Sequence, residues 1–185
     1  MFTVFTMLLS ILYNTLWHIA PPFIRRYLRK RARKNPAYLE HWGERFGEPH
    51  PNPVQQPIWI HAVSVGETRA AQPLIAELQR RFPNAPLLLT QMTPTGRATA
   101  AQLYPQAQCR YLPYDRRDWV VQFLREHRPR FGVLMETELW ANLISGCLNH
   151  HIPLFLANAR LSEKSQRNYQ KIPGLIRPAL RQLTA

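Results

Sequence analysis

A chain of 185 residues, 45% of them hydrophobic, is long enough to bury one core and too apolar to be disordered throughout. Its 24 Lys and Arg against 11 Asp and Glu give a net charge of +13, a surplus that calls for an anionic partner: nucleic acid, an anionic membrane face or a phosphorylated substrate. The two cysteines, Cys109 and Cys147, have no CxxC or Cys/His ligand spacing, which speaks against a zinc site or a disulfide framework and suits a reducing cytoplasm.

Residues 1–24, MFTVFTMLLSILYNTLWHIAPPFI, hold no Asp, Glu, Lys or Arg, and Arg25, Arg26, Arg29, Lys30, Arg31, Arg33 and Lys34 follow at once. An apolar run followed by a basic cluster is a membrane signature. As a helix, the start of this run reaches about 30 Å, the thickness of a hydrocarbon core, with Tyr13 and Trp17 available for the interface. The basic residues keep the following domain on the cytoplasmic side. The uncharged start, with no A-x-A site before Pro21, argues against a cleaved signal peptide. Thr, Ser, Asn and His interrupt the run, so three arrangements stay open. The helix spans the bilayer, or lies in the interface with its basic cluster on anionic headgroups, or is buried ahead of a solvated basic face. Residues 1–34 are therefore read as a membrane anchor with a basic juxtamembrane segment.

Residues 35–56 form a connector. NPAYLEHWGERFGEP reads as a short helical stretch broken at Gly43 and Gly47, and EPHPNPVQQP is too rich in proline for regular structure. From residue 57, apolar runs of strand length alternate with amphipathic segments of helix length: IWIHAV then ETRAAQPLIAELQRRF, PLLLTQ then GRATAAQLY, CRYLPY then RDWVVQFLREH, FGVLME then ELWANLISGCLNHH, PLFLAN then SEKSQRNY. Runs that are apolar on both faces predict a parallel sheet with crossover helices. Residues 57–185 are thus read as a doubly wound, Rossmann-like α/β domain, without internal repeats or low-complexity tracts. The final segment, GLIRPALRQLTA, reads as another basic amphipathic helix and not as a finished domain edge.

In such a sheet, ligands bind beyond the carboxyl ends of the strands. The residues there are SVGE (Ser64, Gly66, Glu67), TPTG (Thr93, Thr95, Gly96) with Arg97, ETE (Glu136, Thr137, Glu138) and NARLS (Asn158, Arg160, Ser162). SVGE and TPTG each bring hydroxyls and a glycine to a helix start, where free N–H groups favour an anion. The plainer reading is capping, because an acid three residues after Ser64 is a capping box. Neither GxGxxG nor a Walker sequence is present. Glu136 ends an apolar strand, and burying a carboxylate there is costly unless it is paired; Glu138 fits as a first-turn acid. His61, inside an apolar strand, reads as a satisfied core residue or as a proton shuttle. His150 and His151 are adjacent, which is not the spacing of a ligand pair on a helix face. Glu44 lies between two glycines outside the sheet, either as a surface acid in a turn or as a carboxylate over the mouth of the crevice.

Taken in order, GERFG, HAVSVGET, TQMTPTG, YLPYD, METELW and NARLS, following an N-terminal apolar segment, resemble the 3-deoxy-D-manno-octulosonic acid (Kdo) transferases of Gram-negative bacteria, from about Tyr13 to the end. The resemblance implies the N-terminal, acceptor-binding half of a GT-B glycosyltransferase on the cytoplasmic face of the inner membrane. It implies inverting transfer of Kdo from CMP-Kdo to the lipid A precursor, without a metal or other cofactor. The family's proposed general base falls on Glu44, its second acidic motif on Glu136 and Glu138, and its glycine-marked turn on Ser64, Gly66 and Glu67. Ala141 stands where the family commonly has proline, a small change in a helix's first turn. The donor domain, which would bind CMP-Kdo, has no counterpart before Ala185.

Two readings of different class follow. One is an enzyme, or its N-terminal part, with lipid A precursor and anionic membrane as partners. The other is a non-catalytic, membrane-bound module that binds the lipid A precursor. Nucleic-acid binding is set aside because the basic residues cluster beside the apolar segment and not on a helix-turn-helix or a sheet with stacking aromatics.

Overall fold

A computed structural model of the chain describes residues 2–136, 139–159, 167, 174, 178 and 180–184. Of the two C-terminal segments expected to be helical, SEKSQRNY apart from Arg167 lies outside the described residues, as do Leu175, Ile176, Arg177, Ala179 and Ala185 of GLIRPALRQLTA, and Thr137, Glu138 and Arg160. Five strands, β1 (Ile58–His61), β2 (Leu87–Gln91), β3 (Gln108–Tyr111), β4 (Phe131–Met135) and β5 (Leu154–Ala157), form one sheet in the order β3-β2-β1-β4-β5. Every pairing is parallel, with Trp59 beside Leu88 and Gly132, and His61 beside Thr90 and Leu134. This is the α/β architecture expected of strands that are apolar on both faces.

Alternation along the strands assigns the two faces. Ile58, Ile60, Leu87, Leu89, Val133 and Met135 meet Ala71, the residue joining helices α3 (Val65–Ala70) and α4 (Gln72–Arg81), Ile75 of α4 and Ala100 of α5 (Pro94–Leu103). Trp59, Leu88, Leu134 and Leu154 meet α6 (Arg117–His127) and α7 (Ala141–Asn149) through Val120, Phe123, Leu124, Leu143 and Ile144. The segment after β1 makes two helices because Pro73 opens α4 and cannot donate into a continuous one. On the second face Trp59 is the largest buried side chain; its Nε1–H donates to Thr90 Oγ1 at 2.8 Å. Gly132 makes room for it, since a Cβ there would stand 2.5 Å from the indole and 2.8 Å from Leu154 Cδ1.

The connector is irregular yet firmly held. Two 3-10 turns, Pro36–Leu39 and Trp42–Phe46, replace the single helical stretch; Gly43 lies inside the second turn and does not break it. Gly43 is needed for another reason, because a Cβ would collide with the Glu48 side chain. Gly47 ends the turn at φ +78°, in the left-handed region that favours glycine. Beyond it, buried Arg110 donates to Glu126 Oε1 at 2.8 Å and to the Glu48 carbonyl at 3.2 Å, while the His50 N–H donates to the same Glu126 oxygen at 2.6 Å. His127 bonds the Val54 carbonyl through Nδ1 at 3.1 Å, which leaves Nε2 to accept from Arg110 at 2.8 Å.

The N-terminal segment forms two helices, α1 (Phe2–Ile19) and α2 (Pro21–Ala32). Met7–Ile19 and Pro21–Ala32 are bent by 52° at the Ala20–Pro21 break. Among the described residues, no single helix is long and apolar enough to cross a membrane. One side of α1 rests on the domain: Tyr13 OH donates to Asp115 Oδ2 at 2.6 Å, and Trp17 stacks on Tyr114 with ring centroids 6.1 Å apart. The other side leaves Met7, Leu8, Ile11, Leu12, Leu16 and Ile19 exposed, continued by Phe23 of α2. Leu28 and Ala32 of α2 pack with Tyr38 and Phe46 of the connector, and Arg25 lies 4.7 Å from the Phe46 ring centroid.

Two expectations follow. Gly132→Ala overpacks the Trp59 pocket and is expected to lower stability by about 1–3 kcal/mol in denaturant unfolding; an unchanged midpoint would mean that the indole yields. Burial holds His61 and His127 well below the usual histidine range, both at about 4 against an ordinary 6.5. As pH falls across that window the unfolded chain takes up protons that the folded chain refuses, so stability is lost. Asp115 acts in the opposite sense, since burial raises its carboxyl from 3.8 to about 7 and stability falls as pH rises between those values. Two groups outweigh one, so denaturation midpoints are expected to fall from about pH 7 to about pH 5. In His127→Gln one histidine remains against Asp115, so that drop should largely vanish; a wild-type midpoint that rises toward acid would contradict the assignment.

Candidate active site at the carboxyl edge of the sheet

The Glu44 turn is entered through His41 at φ +49° and left through Gly47 at φ +78°. These left-handed ends aim Glu44 at the carboxyl end of β3. Leu112 N–H donates inward to the Gln91 carbonyl at 3.2 Å, so the N–H of Tyr111 points away from β2, on the open edge of the sheet. Glu44 Oε2 accepts that N–H at 2.8 Å. Arg97, in the first turn of α5, grips the same carboxylate with both terminal nitrogens, Nη1 to Oε2 at 2.8 Å and Nη2 to Oε1 at 3.2 Å. Nη2 also donates to the Cys109 carbonyl at 3.0 Å. Oε1 is the less occupied oxygen, with His41 Nδ1 3.9 Å away. The side chains are 14% exposed for Glu44 and 16% for Arg97, so the pair is largely but not wholly withdrawn from water.

Arg97, expected from sequence to face an anionic ligand, is thus turned toward Glu44. Its neighbour in space, Arg45, was not singled out by sequence. Arg45 is fully buried, its guanidinium 3.5 Å from the Tyr111 ring centroid and its Nη1 donating to the Met92 carbonyl at 3.0 Å. Its Nε and Nη2 have no hydrogen-bond partner among the described residues. A buried cation without a full set of acceptors is costly, and the ring face of Tyr111 offsets part of that cost. Nothing local in the sequence marks this stack, because Arg45 and Tyr111 meet only through the fold.

SVGE and TPTG lie side by side, tied through one carbonyl. Val63 O accepts the N–H groups of Met92 and Thr93, both at 3.2 Å, and the Thr93 hydroxyl at 3.1 Å. Ser64 caps α3: its Oγ accepts the Glu67 N–H at 3.4 Å and donates to Glu67 Oε1 at 2.9 Å, while Glu67 Oε2 accepts the Val63 N–H at 2.8 Å. The capping box read from the sequence is therefore formed, with Glu67 buried. Thr93 caps α5 by accepting the Gly96 N–H at 3.1 Å. Gly96 is required by packing, because a Cβ would stand 2.8 Å from Thr93 Oγ1 and 3.1 Å from the Val63 carbonyl. Thr95 is exposed at the start of α5. Gly66 is exposed, and a Cβ there would meet only Ser64 Oγ, at 3.9 Å.

Glu136 follows β4 at φ +58°, its N–H donating to the Ala157 carbonyl at 2.9 Å, and Asn158 after β5 has φ +52°. A left-handed glutamate is an uncommon backbone state, of the kind that collects at functional turns. Glu138 and Arg160 lie outside the described residues, so the ETE and NARLS candidates are represented by Glu136 and Asn158 alone. Between Glu44 beside β3 and Glu136 after β4 lie β2 and β1, so at usual strand spacing the strand ends beside which they stand are about 14 Å apart, and the two acids mark separate ends of a long edge.

His61 sits below that edge as a core residue. Its Nδ1 lies 2.9 Å from Thr90 Oγ1 and 3.1 Å from the Thr90 carbonyl, and among the described residues its Nε2 has no hydrogen-bond partner. The Trp140 ring is 6.2 Å away, edge-on. Two concavities, of about 750 and 500 Å³, lie at the opposite, amino edge, against Pro86 and Leu103 and against Arg128 and His151, and contain none of these motif residues. Among the described residues, the candidate site lies along the open carboxyl edge of the sheet. Among the described residues, no group of His, Cys, Asp and Glu is arranged to hold a metal ion.

Comparison with known proteins identifies the family. The sequence profile of the family described as 3-Deoxy-D-manno-octulosonic-acid transferase (kdotransferase) matches residues 40–185. The 3-deoxy-D-manno-octulosonic acid transferase of Bordetella pertussis is 39% identical over 86% of this chain and 39% of its own length. That of Haemophilus influenzae is 37% identical over 86% of the chain and 38% of its own length. A relative from Arabidopsis thaliana, named a probable mitochondrial 3-deoxy-D-manno-octulosonic acid transferase, is 34% identical over 85% of the chain and 36% of its own length. The chain thus spans under two fifths of these relatives. With the profile covering most of its length, the chain belongs to the Kdo transferase family.

Proposed function

We propose that this chain is the acceptor-binding part of a GT-B enzyme that transfers Kdo from CMP-Kdo to the lipid A precursor, lipid IVA, with Glu44 as general base. The observation that carries the reading is the Glu44 carboxylate, oriented at the carboxyl edge of a parallel sheet by Arg97 and the Tyr111 amide. In this reading Oε1 removes the proton of an acceptor sugar hydroxyl as that oxygen bonds to the anomeric carbon of Kdo, on the face opposite the departing CMP. The bond from the anomeric carbon to the CMP phosphate oxygen breaks, the configuration inverts, and the proton rests on Glu44. The leaving group departs as an already ionised phosphate and needs no acid on this side. Arg97 and Tyr111 hold the base in one orientation, a role that suits a bidentate guanidinium. No metal or cofactor is invoked. A second, donor-binding domain supplies CMP-Kdo and closes the open edge into a cleft.

The proposed location is the cytoplasmic face of the bacterial inner membrane. The apolar side of α1 and Phe23 enter the interface, and the basic residues of α2 meet anionic headgroups. The bend between α1 and α2, and the docking of α1 on the domain, favour an in-plane anchor over a span.

A second reading keeps the acceptor and drops the chemistry: a membrane-bound module that binds the lipid A precursor without turning it over. It is favoured by the three hydrogen bonds that already engage Glu44. Acceptor-dependent release of CMP from CMP-Kdo by the full-length protein separates the two. Glu44→Gln is expected to reduce that release by about 100-fold or more while leaving thermal unfolding and lipid IVA binding near wild type; turnover at the wild-type rate removes Glu44 from the chemistry. Gly66→Ala gives a sharper view of the acceptor surface. Inside α3 alanine is favoured by about 1 kcal/mol and meets no close atom, so stability is expected to hold or rise. If the acceptor lies against this backbone, its KM rises; an unchanged KM takes Gly66 out of the binding surface.

A further inference from the structure

Tyr114 and Asp115 close the YLPYD segment, between β3 and α6, and the mechanism above uses neither. Asp115 is buried, yet its carboxylate accepts three hydrogen bonds: Tyr13 OH at 2.6 Å and Asn142 N–H at 2.9 Å on Oδ2, and Leu143 N–H at 2.8 Å on Oδ1. Its backbone carbonyl accepts Asn142 Nδ2 at 2.6 Å, and the same nitrogen donates to Asn14 Oδ1 at 3.0 Å. Helix α7 starts at Ala141, and Trp140 at its cap position makes no side-chain cap. Asp115 therefore caps α7 from another loop.

A serine or asparagine at position 140 could cap α7 without burying a carboxylate. Neither could also reach α1. Tyr114 completes the arrangement, because its ring stacks on Trp17 of α1, packs 5.8 Å from the Phe46 ring, and its N–H donates to the Arg45 carbonyl at 3.0 Å. One dipeptide thus touches α1, the turn that carries Glu44, and the first turn of α7, just after the loop that begins at Glu136.

We propose that Tyr114 and Asp115 are positioning residues, a joint through which the docking of α1 fixes both acidic segments of the site. This rests on the reading of that edge as the transferase site. It makes membrane seating and catalytic geometry one event, because the face of α1 opposite the joint is the apolar one.

Tyr13→Phe in the full-length protein on anionic phospholipid vesicles tests the joint with little risk to folding. It removes one hydroxyl from a half-buried position and leaves both amide caps on Asp115. The first readout, amide hydrogen exchange, needs no turnover. Loss of a hydrogen bond to a buried carboxylate is expected to speed exchange at Asn142 and Leu143 by about tenfold, with β1, β2 and β4 as protected as in wild type. In Trp17→Leu the faster amide is expected to be Tyr114. Unchanged exchange at these amides overturns the joint. The second readout is kinetic: kcat for transfer falls in Tyr13→Phe while KM for CMP-Kdo is unchanged. An unaltered kcat, or a loss that only follows the unfolded fraction, overturns the positioning role. If the wild-type protein releases no CMP, it is the reading of the site that fails, and exchange alone decides whether the joint exists.

Discussion

A sheet edge leaves one row of N–H groups without partners, and at Tyr111 this protein meets that constraint with a carboxylate from outside the sheet. Glu44 arrives there on a connector that has little regular structure of its own. It is worth holding in place because Arg97, on the helix after the neighbouring strand, supplies a bidentate partner. The features around this clasp serve to deliver it. Gly43 clears the Glu48 side chain, Gly47 and His41 turn the backbone, and the Arg110–Glu126–His127 network fixes the chain just beyond. A partly buried ion pair of this kind adds little net stability once desolvation is counted. Its effect is to fix the orientation of one carboxylate.

That clasp also reassigns the charge of the site. With Arg97 engaged by Glu44 and Arg45 sealed against Tyr111, neither is placed as a freely mobile anion receptor at the edge. Much of the net charge lies on α2, where Arg25, Arg29 and Arg31 also lean on aromatic rings of the connector or of α2 itself. In the proposed setting, the same helix pair presents apolar side chains to the lipid interior and guanidinium groups to its phosphates. The catalytic edge and the membrane face then meet at Tyr114 and Asp115.

What could be read from the sequence was local. Strands apolar on both faces, the capping box of Ser64 with Glu67 and the N-cap of Thr93 on Gly96 are set by residues within a few positions of one another, whereas the segment around Pro73 reads as one helix and its break shows only in the structure. His61 kept its core role for the same reason, since an apolar strand surrounds it. The pairings that define the site are long in sequence: Glu44 with Arg97 spans 53 residues, Glu44 with Tyr111 spans 67, and Tyr13 with Asp115 spans 102. No periodicity encodes them. Gly43 was legible as a glycine with a purpose but not which purpose, because a break and a close approach look alike in one dimension. The apolar run at the N-terminus showed its length and composition, whereas Tyr13 and Trp17, expected at a membrane interface, and the polar interruption Asn14 mark the side that docks on the domain.

The central claim is that the clasped carboxylate of Glu44 is the base, and chemical rescue tests it most directly. In the full-length protein, Glu44→Ala is expected to lose acceptor-dependent CMP release and to regain part of it as formate is added, a small carboxylate entering the space left beside Arg97 and Tyr111. Wild-type turnover by Glu44→Ala without formate would contradict the account, and the clasp would then be a structural feature of the β3 edge alone.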